Sequence, residues 1–544
     1  MTTEAQGFDY IVVGAGSAGC VLANRLSANP NCRVALVEAG SSDLGWPLNL
    51  KTSLPIGNVF LLGRQATDWG HGFTAPGAND GREIPCPRGR LYGGSSSVNG
   101  GVYMRGHPDD YADWAALGNA GWDWPQVLAA FKAHEDWHGP ASALHGQGGE
   151  LDVSRLKTPN PISLALVAAA VQAGHAQNPD HNGAQQDGFG QYWVNQRNSV
   201  RLSSSRAFLH PALARRNLTI FSDALVERLE LRGSRCTGLT LRHAGERKTL
   251  HAGEVVLSAG TIASPQLLML SGIGPEAELR RHGIAVQHRL EGVGLNLQDH
   301  PAVSLALRDP SGESYALTPR AWARLAAAPL RYLFAGTGML ASNGAEAGGF
   351  ARTLPGLARP DVQFTLLVGL KRAANELPRE HGLVLMVNAC RPLGRGRLTL
   401  RSAAPEDRPV LHHGFLEHEA DIQTLVRGLR EARRIVAQPA MARFCGEELS
   451  PGPALQTDAQ LAELVRQSVV TVYHPVGTCK MSPASDPLAV VDPELRVHGL
   501  EGLRVADASI MPTLIGGNTS APAMMIGERA ASFMLAAAAA RHAA

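Results

Sequence analysis

At 544 residues, with 44% hydrophobic and 18% charged side chains, the chain has the length of two or more globular domains and an ordinary composition. Its 50 basic and 48 acidic residues leave a formal net charge of +2, which excludes a nucleic-acid or acidic partner recognised by bulk charge. Seven scattered cysteines, odd in number and without a CxxC pair, exclude a disulfide framework or zinc site and fit a reducing compartment.

The N-terminus runs almost directly into a β-branched stretch, FDYIVV at 8–13, so no secretory signal is expected. Gly14-Ala15-Gly16-Ser17-Ala18-Gly19 follows, and then the helix-forming CVLANRLSA. This is a strand–turn–helix unit for a dinucleotide. Gly14 allows the tight turn, Gly16 lets the backbone approach a pyrophosphate, and Gly19 lets the helix pack on its strand. The anion is expected at the helix N-terminus. A second strand, RVALVE at 33–38, ends in Glu38, nineteen residues past Gly19, where a partner for ribose hydroxyls belongs.

Residues 43–87 are rich in Pro and Gly and carry Trp46, Trp69 and His71, so an irregular cover over a ligand is expected. The next stretch, GRLYGGSSSVNGGVYMRG at 89–106, has six glycines and no periodicity, and suits backbone packed against a flat polar ligand. Arg88, Arg90 and Arg105 flank it and suit a held phosphate. Helices with core aromatics (Tyr111, Trp114, Trp122, Trp124, Phe131) are predicted over 107–137, a loop entering a strand over 143–154, and a helix over 161–174. Strands over 218–250 lead to a second strand–glycine–helix unit, with a strand at 254–258, a turn at Ala259-Gly260 and a helix at 264–270.

From 301 to about 469, VQFTLLVGL, LVLMVNACRP and GRLTLRS predict an antiparallel sheet with one covered face, beside a helix over 417–437. The chain then returns through TVYHPVGTCKMS, a strand at 503–506 and IGGNTSAP to a last helix. No uncharged apolar run reaches about 18 residues, the length of a spanning helix. The C-terminal AASFMLAAAAA reads as the end of a packed helix, and a cytoplasmic location is expected. The expected fold class is α/β: a Rossmann-like dinucleotide-binding domain from discontinuous segments 1–155, 200–300 and 470–544. An α+β substrate domain with an antiparallel sheet is expected from 156–199 and 301–469.

Taken in order, VVGAGSAG with Glu38, GRLYGGSSSVNGGVYMRG, GTIASPQLLMLSGIGP, VGLNLQDHP, YHPVGTCKM and VADASIMPTLIGGNTSAP cover almost the whole chain. In them the sequence resembles the glucose–methanol–choline (GMC) oxidoreductases, and within these the FAD-linked alcohol and choline dehydrogenase branch. The resemblance implies oxidation of a primary alcohol to the aldehyde, hydride passing to flavin N5 and His474 taking the hydroxyl proton as general base. Histidine suits that work because its ordinary pKa, about 6.5, is near the working pH. Asn518 stands where the family has its second active-site residue, and can hydrogen-bond the developing alkoxide or His474 itself.

By the same resemblance Gly14, Gly16, Ser17, Ala18, Glu38 and Ala39 hold the ADP half of FAD, and Val226 reaches the adenine. Gly93, Gly94, Ser95, Asn99, Gly100, Gly101 and Val102 run beside the isoalloxazine and ribityl chain. Asp507, Ala508, Asn518 and Thr519 close on the pyrophosphate and ring, and Trp69, Arg88 and Ala259 complete the cofactor shell. Glu346 and Tyr473 are expected at the substrate. His300 in LQDHP reads as structural or supporting, and Cys479 as a small buried side chain.

Two departures from the family sharpen this. Val98 stands where some oxidases carry a flavin-linked histidine, so FAD is expected to be non-covalent. Gly344 and Ala345 replace the His and Phe usual in choline-type members, which favours a neutral primary alcohol, aliphatic or ether-containing, over choline. The acceptor is expected to be a quinone or dye-like molecule. Choline dehydrogenation, or an oxygen-using alcohol oxidase, is the alternative. Residues 318–340 alternate Arg with Trp, Leu, Tyr and Phe, and read as a lid, a peripheral membrane patch, or an ordinary amphipathic helix on the core.

Overall fold

Strands buried on both faces carry apolar side chains at consecutive positions instead of alternating ones. Tyr10–Val13, the end of the strand Gly7–Val13, and Val34–Val37 follow that rule and sit inside a seven-stranded sheet in the computed structural model, which describes residues 7–74, 82–370 and 376–543. The order is Leu218–Phe221, Val34–Val37, Gly7–Val13, Glu246–Leu257, Arg235–His243, Ala224–Arg232, with Leu503–Val505 also paired to Glu246–Leu257. The first four and Leu503–Val505 are parallel; the other two complete an antiparallel meander.

Register decides where a ligand can go. Val13 lies opposite Val37 and Leu257, and Leu257 opposite Val505, so four carboxyl ends are level. The residues just beyond them, Gly14, Glu38, Ser258 and Asp507, line one cavity. That is the crevice an open α/β sheet offers to ligands. The turn there requires glycine: Gly14 has φ +99°, and a Cβ on Gly19 would lie 1.8 Å from the Gly14 carbonyl oxygen. The helix Ser17–Ser27 therefore lies tight on the turn, and the last helix, Ser520–Ala543, packs against it. Arg25 ties the two together by its ion pair with Glu528.

A second seven-stranded sheet is antiparallel, in the order Glu448–Ser450, Pro301–Arg308, Gly382–Ala389, Val362–Leu367, Ala347–Ala351, Gly188–Gln191, with Val470–Thr471 also on Pro301–Arg308. Its strands alternate. Val362, Phe364 and Leu366 pack with Leu385 and Val387 into a core shared with the helices Pro161–Gln172 and Glu419–Val436. Gln363, Thr365, Leu367, Met386 and Asn388, on the other face, line the cavity. The cavity thus lies between the carboxyl edge of one sheet and the open face of the other.

Several expectations need correction. GRLTLRS does not extend the antiparallel sheet: Arg397–Thr399 pairs with Val410–His412 in a separate four-stranded sheet with His71–Thr74 and Ile84–Cys86. Its Leu398 and Leu411 pack into the core of the first sheet. Residues 43–87 are not irregular throughout, holding the short helices Leu48–Ser53 and Asn58–Leu61 besides those two strands; 75–81 lie outside the described residues. The predicted 264–270 helix begins earlier, as Gly260–Leu270. The segment before the first strand, residues 1–6, lies outside the described residues. The C-terminal apolar stretch is, as expected, the end of a packed helix, which runs over Ser520–Ala543. Over Ser520–Arg541 it is long and apolar enough to cross a membrane, yet half of that stretch is buried in protein and it carries the ion-paired Glu528.

Candidate active site

The cavity has a volume of about 450 Å³ and is lined by distant segments of the chain, from Val13 to Ala523. Gly14, Gly16, Ser17, Ala18, Glu38, Ala39, Trp69, Arg88, Gly94, Ser95, Asn99, Gly100, Gly101, Val102, Val226, Ala259, Asp507, Ala508, Asn518, Thr519, Tyr473 and His474 all face it. Gly93 does not. Its N–H is bonded to the Ala15 carbonyl, which clamps the glycine–serine stretch to the first turn from behind. Two of the expected phosphate arginines are also elsewhere. Arg105 is fully buried and ion-paired with Glu135, and Arg90 lies over the Trp69 ring at 4.9 Å. Arg88 reaches the cavity, but its guanidinium donates to the Pro87 and Tyr473 carbonyls.

At the nucleotide end the helix Ser17–Ser27 has no side-chain cap, so its first N–H groups are free for an anion. A Cβ built on Gly16 would meet only the Ser258 carbonyl oxygen, at 3.9 Å, so the space beside it is open. Glu38 accepts from the N–H groups of Ala15 and Gly40 at 2.8 Å each. Burial nevertheless pushes its carboxyl up to about 7, and donors such as ribose hydroxyls would stabilise its ionised form.

At the other end stands a chain of four side chains. His300 Nε2 lies 3.0 Å from the carbonyl oxygens of both Cys390 and Ile515. Carbonyls only accept, so Nε2 carries the proton and, in the neutral ring, Nδ1 is a lone pair. That Nδ1 is 3.0 Å from His474 Nδ1, which must then be the donor. The tautomer of His474 is therefore fixed with its lone pair on Nε2. Asn518 Nδ2 donates to that Nε2 at 3.2 Å, and Gln363 Nε2 donates to Asn518 Oδ1 at 3.2 Å, which sets the amide the right way round.

The backbone holds this chain in place. Buried Asp299 accepts from the N–H groups of His300 and His474 and from the Thr471 hydroxyl, tying both histidine segments together. Tyr473, at φ +69°, turns the chain so that His474 faces inward. Burial, His300 and the Arg88 guanidinium hold the His474 imidazole well below 6.5, and burial holds His300 down to about 4. A depressed histidine pKa keeps the imidazole unprotonated until the pH falls below it. Across pH 5 to 8, any turnover that needs a neutral His474 should stay level as pH falls through about 6.5 and drop only below it; an acid limb at or above 6.5 would contradict the burial of this ring.

Glu346 is a correction. It is 1% exposed, does not line the cavity, and accepts from the Asn160 N–H, the Ser163 and Ser342 hydroxyls and the Tyr315 phenol. Its neighbours Gly344 and Ala345 face the cavity while it faces away. Gln363, by contrast, went unforeseen: only the strand alternation of VQFTLLVGL could have pointed to it, and nothing there says which residue it meets.

These features define an oxidoreductase of the dinucleotide-binding class, with a hydrogen-bonded imidazole at the end of the cavity away from the glycine turn. Family models described as GMC oxidoreductase match residues 8–302 for the N-terminal part and 392–527 for the C-terminal part. The chain belongs to the GMC oxidoreductase family. It is 42% identical to an alcohol dehydrogenase (acceptor) of Pseudomonas putida, over 97% of this chain and 96% of that one. It is 41% identical to the mitochondrial choline dehydrogenase of Homo sapiens, over 97% and 89%. Among solved structures it resembles pyridoxine 4-oxidase from Mesorbium loti, with TM-score 0.86, 30% identity, and 97% and 99% coverage. GMC oxidoreductases are FAD-dependent, and the uncapped helix, the open space at Gly16 and the acceptor Glu38 fit the ADP half of that cofactor.

Proposed function

We propose that the enzyme oxidises a neutral primary alcohol, aliphatic or ether-containing, to the aldehyde, and passes the electrons to an acceptor other than oxygen, quinone-like or dye-like. Bound FAD supplies the two-electron acceptor, held by the residues named above, with the discontinuous nucleotide-side segments as one unit and the antiparallel sheet as the substrate side. A hydroxyl beside Asn518 and His474 takes over the amide N–H that His474 Nε2 holds without substrate, receives it on its oxygen, and gives its proton to the freed Nε2. As the C–H bond weakens, negative charge on that oxygen is met by a donor already oriented by Gln363, without competition from an acid. The proton gained by His474 leaves its Nδ1–H still bonded to His300, so the ring need not turn.

The observation that carries the substrate class is the state of Glu346. A quaternary ammonium needs an accessible anion or an aromatic cage, and Glu346 is turned away from the cavity with four donors on it. The wall there carries the apolar Leu317, Met339, Ala345, Leu367 and Met386 beside the neutral polar Tyr192, Tyr315, Asn343, Thr365 and Asn388, and no anion among the described residues. The test compares kcat/KM for choline with that for a medium-chain alkanol, each with oxygen and with a soluble quinone. The alkanol and the quinone should be preferred; a clear choline preference would overturn the substrate assignment, and equal rates with oxygen the acceptor assignment.

Val98 is buried against Leu61 and Leu91 where a flavin-linked histidine would stand, which supports non-covalent FAD. Denaturation with acid or guanidinium should release all of the yellow colour into the supernatant. Flavin retained on the unfolded polypeptide would contradict this.

A further inference from the structure

A surface helix turns its apolar stripe to the core. The helix Trp322–Ala335 does the reverse. Ala328 is its only fully buried residue, while Trp322, Leu330, Leu333 and Phe334 are 72%, 60%, 74% and 86% exposed. With Ala326 they fall at spacings of three and four, on one outward face. The inward side is held by polar anchors: Arg324 pairs with Glu313, and the Tyr332 phenol donates to the Ser199 carbonyl. The apolar face is thus fixed outward.

Charge and position narrow what covers it. From Ser314 to Ala345 there is no acidic residue, and Arg320 and Arg331 make no ion pair among the described residues. A second exposed apolar segment lies close by. Trp46 is 80% exposed and Leu50 43%. The Pro55 carbonyl, just after its helix Leu48–Ser53, accepts from Arg201, two residues from the Ser199 carbonyl on which Tyr332 is anchored. Both segments lead into the cavity: Leu317 and Met339 line it from either end of the exposed helix, and Ile56, Val59 and Leu62 from the second.

We propose that this face docks on a lipid bilayer carrying anionic headgroups, with the cavity opening toward the membrane. The apolar side chains enter the interface, Trp322 at headgroup depth, while Arg320 and Arg331 meet lipid phosphates. A second copy of the chain fits less well, because a two-fold contact would set the same arginines against each other with no acid between them. The inference is independent of which alcohol is oxidised.

The FAD-loaded protein is sedimented with vesicles of phosphatidylglycerol and phosphatidylcholine, and with phosphatidylcholine alone. It should pellet with the anionic vesicles, and binding should fall about tenfold or more on the neutral ones. The double variant Trp322→Ser, Phe334→Ser should lose about tenfold or more on the anionic vesicles, with its flavin spectrum and Tm unchanged. Arg331→Glu should weaken binding to anionic vesicles only. Wild-type protein that stays in the supernatant with both lipids would overturn the proposal, as would a double variant that binds like wild type. So would a dimer in solution that the double substitution dissolves, since a second copy would then be what covers the face.

Discussion

Replacing His474 with alanine is expected to slow alcohol-dependent bleaching of the flavin by about 10²–10⁴-fold, the span of a positioned general base, with FAD content and visible spectrum preserved. The size of the effect follows from geometry. His474 Nε2 is the lone pair that His300 fixes in place, and Asn518, 3.2 Å away, is an amide that cannot take the proton instead. The loss should fall on the reduction step alone, leaving reoxidation of dithionite-reduced enzyme by quinone at the wild-type rate. Stopped-flow absorbance under nitrogen separates the two steps. A variant that is still reduced within a few-fold of wild type would mean another group takes the proton.

Gly16→Val is expected to give a folded but colourless protein. The space beside Gly16 is open apart from the Ser258 carbonyl oxygen at 3.9 Å, so a side chain fits in the absence of cofactor. The same side chain fills the place where a pyrophosphate would meet the uncapped helix Ser17–Ser27. A clash of about 3 kcal/mol, typical of overpacking, weakens FAD binding about 10²-fold. Gly19 is the contrast. A Cβ there lies 1.8 Å from the Gly14 carbonyl oxygen, so Gly19→Val should not fold at all. Far-ultraviolet circular dichroism and flavin content measured on both variants distinguish a blocked site from a broken one. A yellow Gly16→Val protein would show that the cofactor phosphates lie elsewhere.

Both predictions concern residues that could be read from the sequence, because each sits in a local pattern. A β-branched run entering GAGSAG announces its turn, and Glu38 ends the next strand. Eight residues of the stretch 89–106 line the cavity, four of them glycines, which are small wherever they are placed. What could not be read depends on direction or on distant pairing. Glu346 was expected at the substrate, yet which side of the chain it faces is fixed by donors from Asn160, Ser163 and Tyr315, which no local pattern connects to it.

Arg105 shows the same limit: flanking a glycine-rich stretch suggests a phosphate, but its partner Glu135 and the enclosing aromatic rings take it inside. The pairing of Val410–His412 with His71–Thr74 joins strands more than 300 residues apart, beyond any alternation rule. The relay was half legible. His474 and Asn518 stand in motifs, whereas the contact from His300 spans 174 residues and that from Gln363 to Asn518 spans 155. The hydrogen-bond direction that leaves the His474 lone pair on Nε2 comes from two backbone carbonyls, Cys390 and Ile515, which leave no mark on the sequence.

Anaerobic mixing of the purified yellow protein with a medium-chain alkanol, followed by visible absorbance, tests most directly whether the distant segments meet on one flavin beside one imidazole. The flavin should bleach fully with about one equivalent of aldehyde formed per flavin, because the bound cofactor accepts two electrons. A flavin that stays oxidised with every alcohol offered, or protein that remains colourless after reconstitution with FAD, would contradict the account.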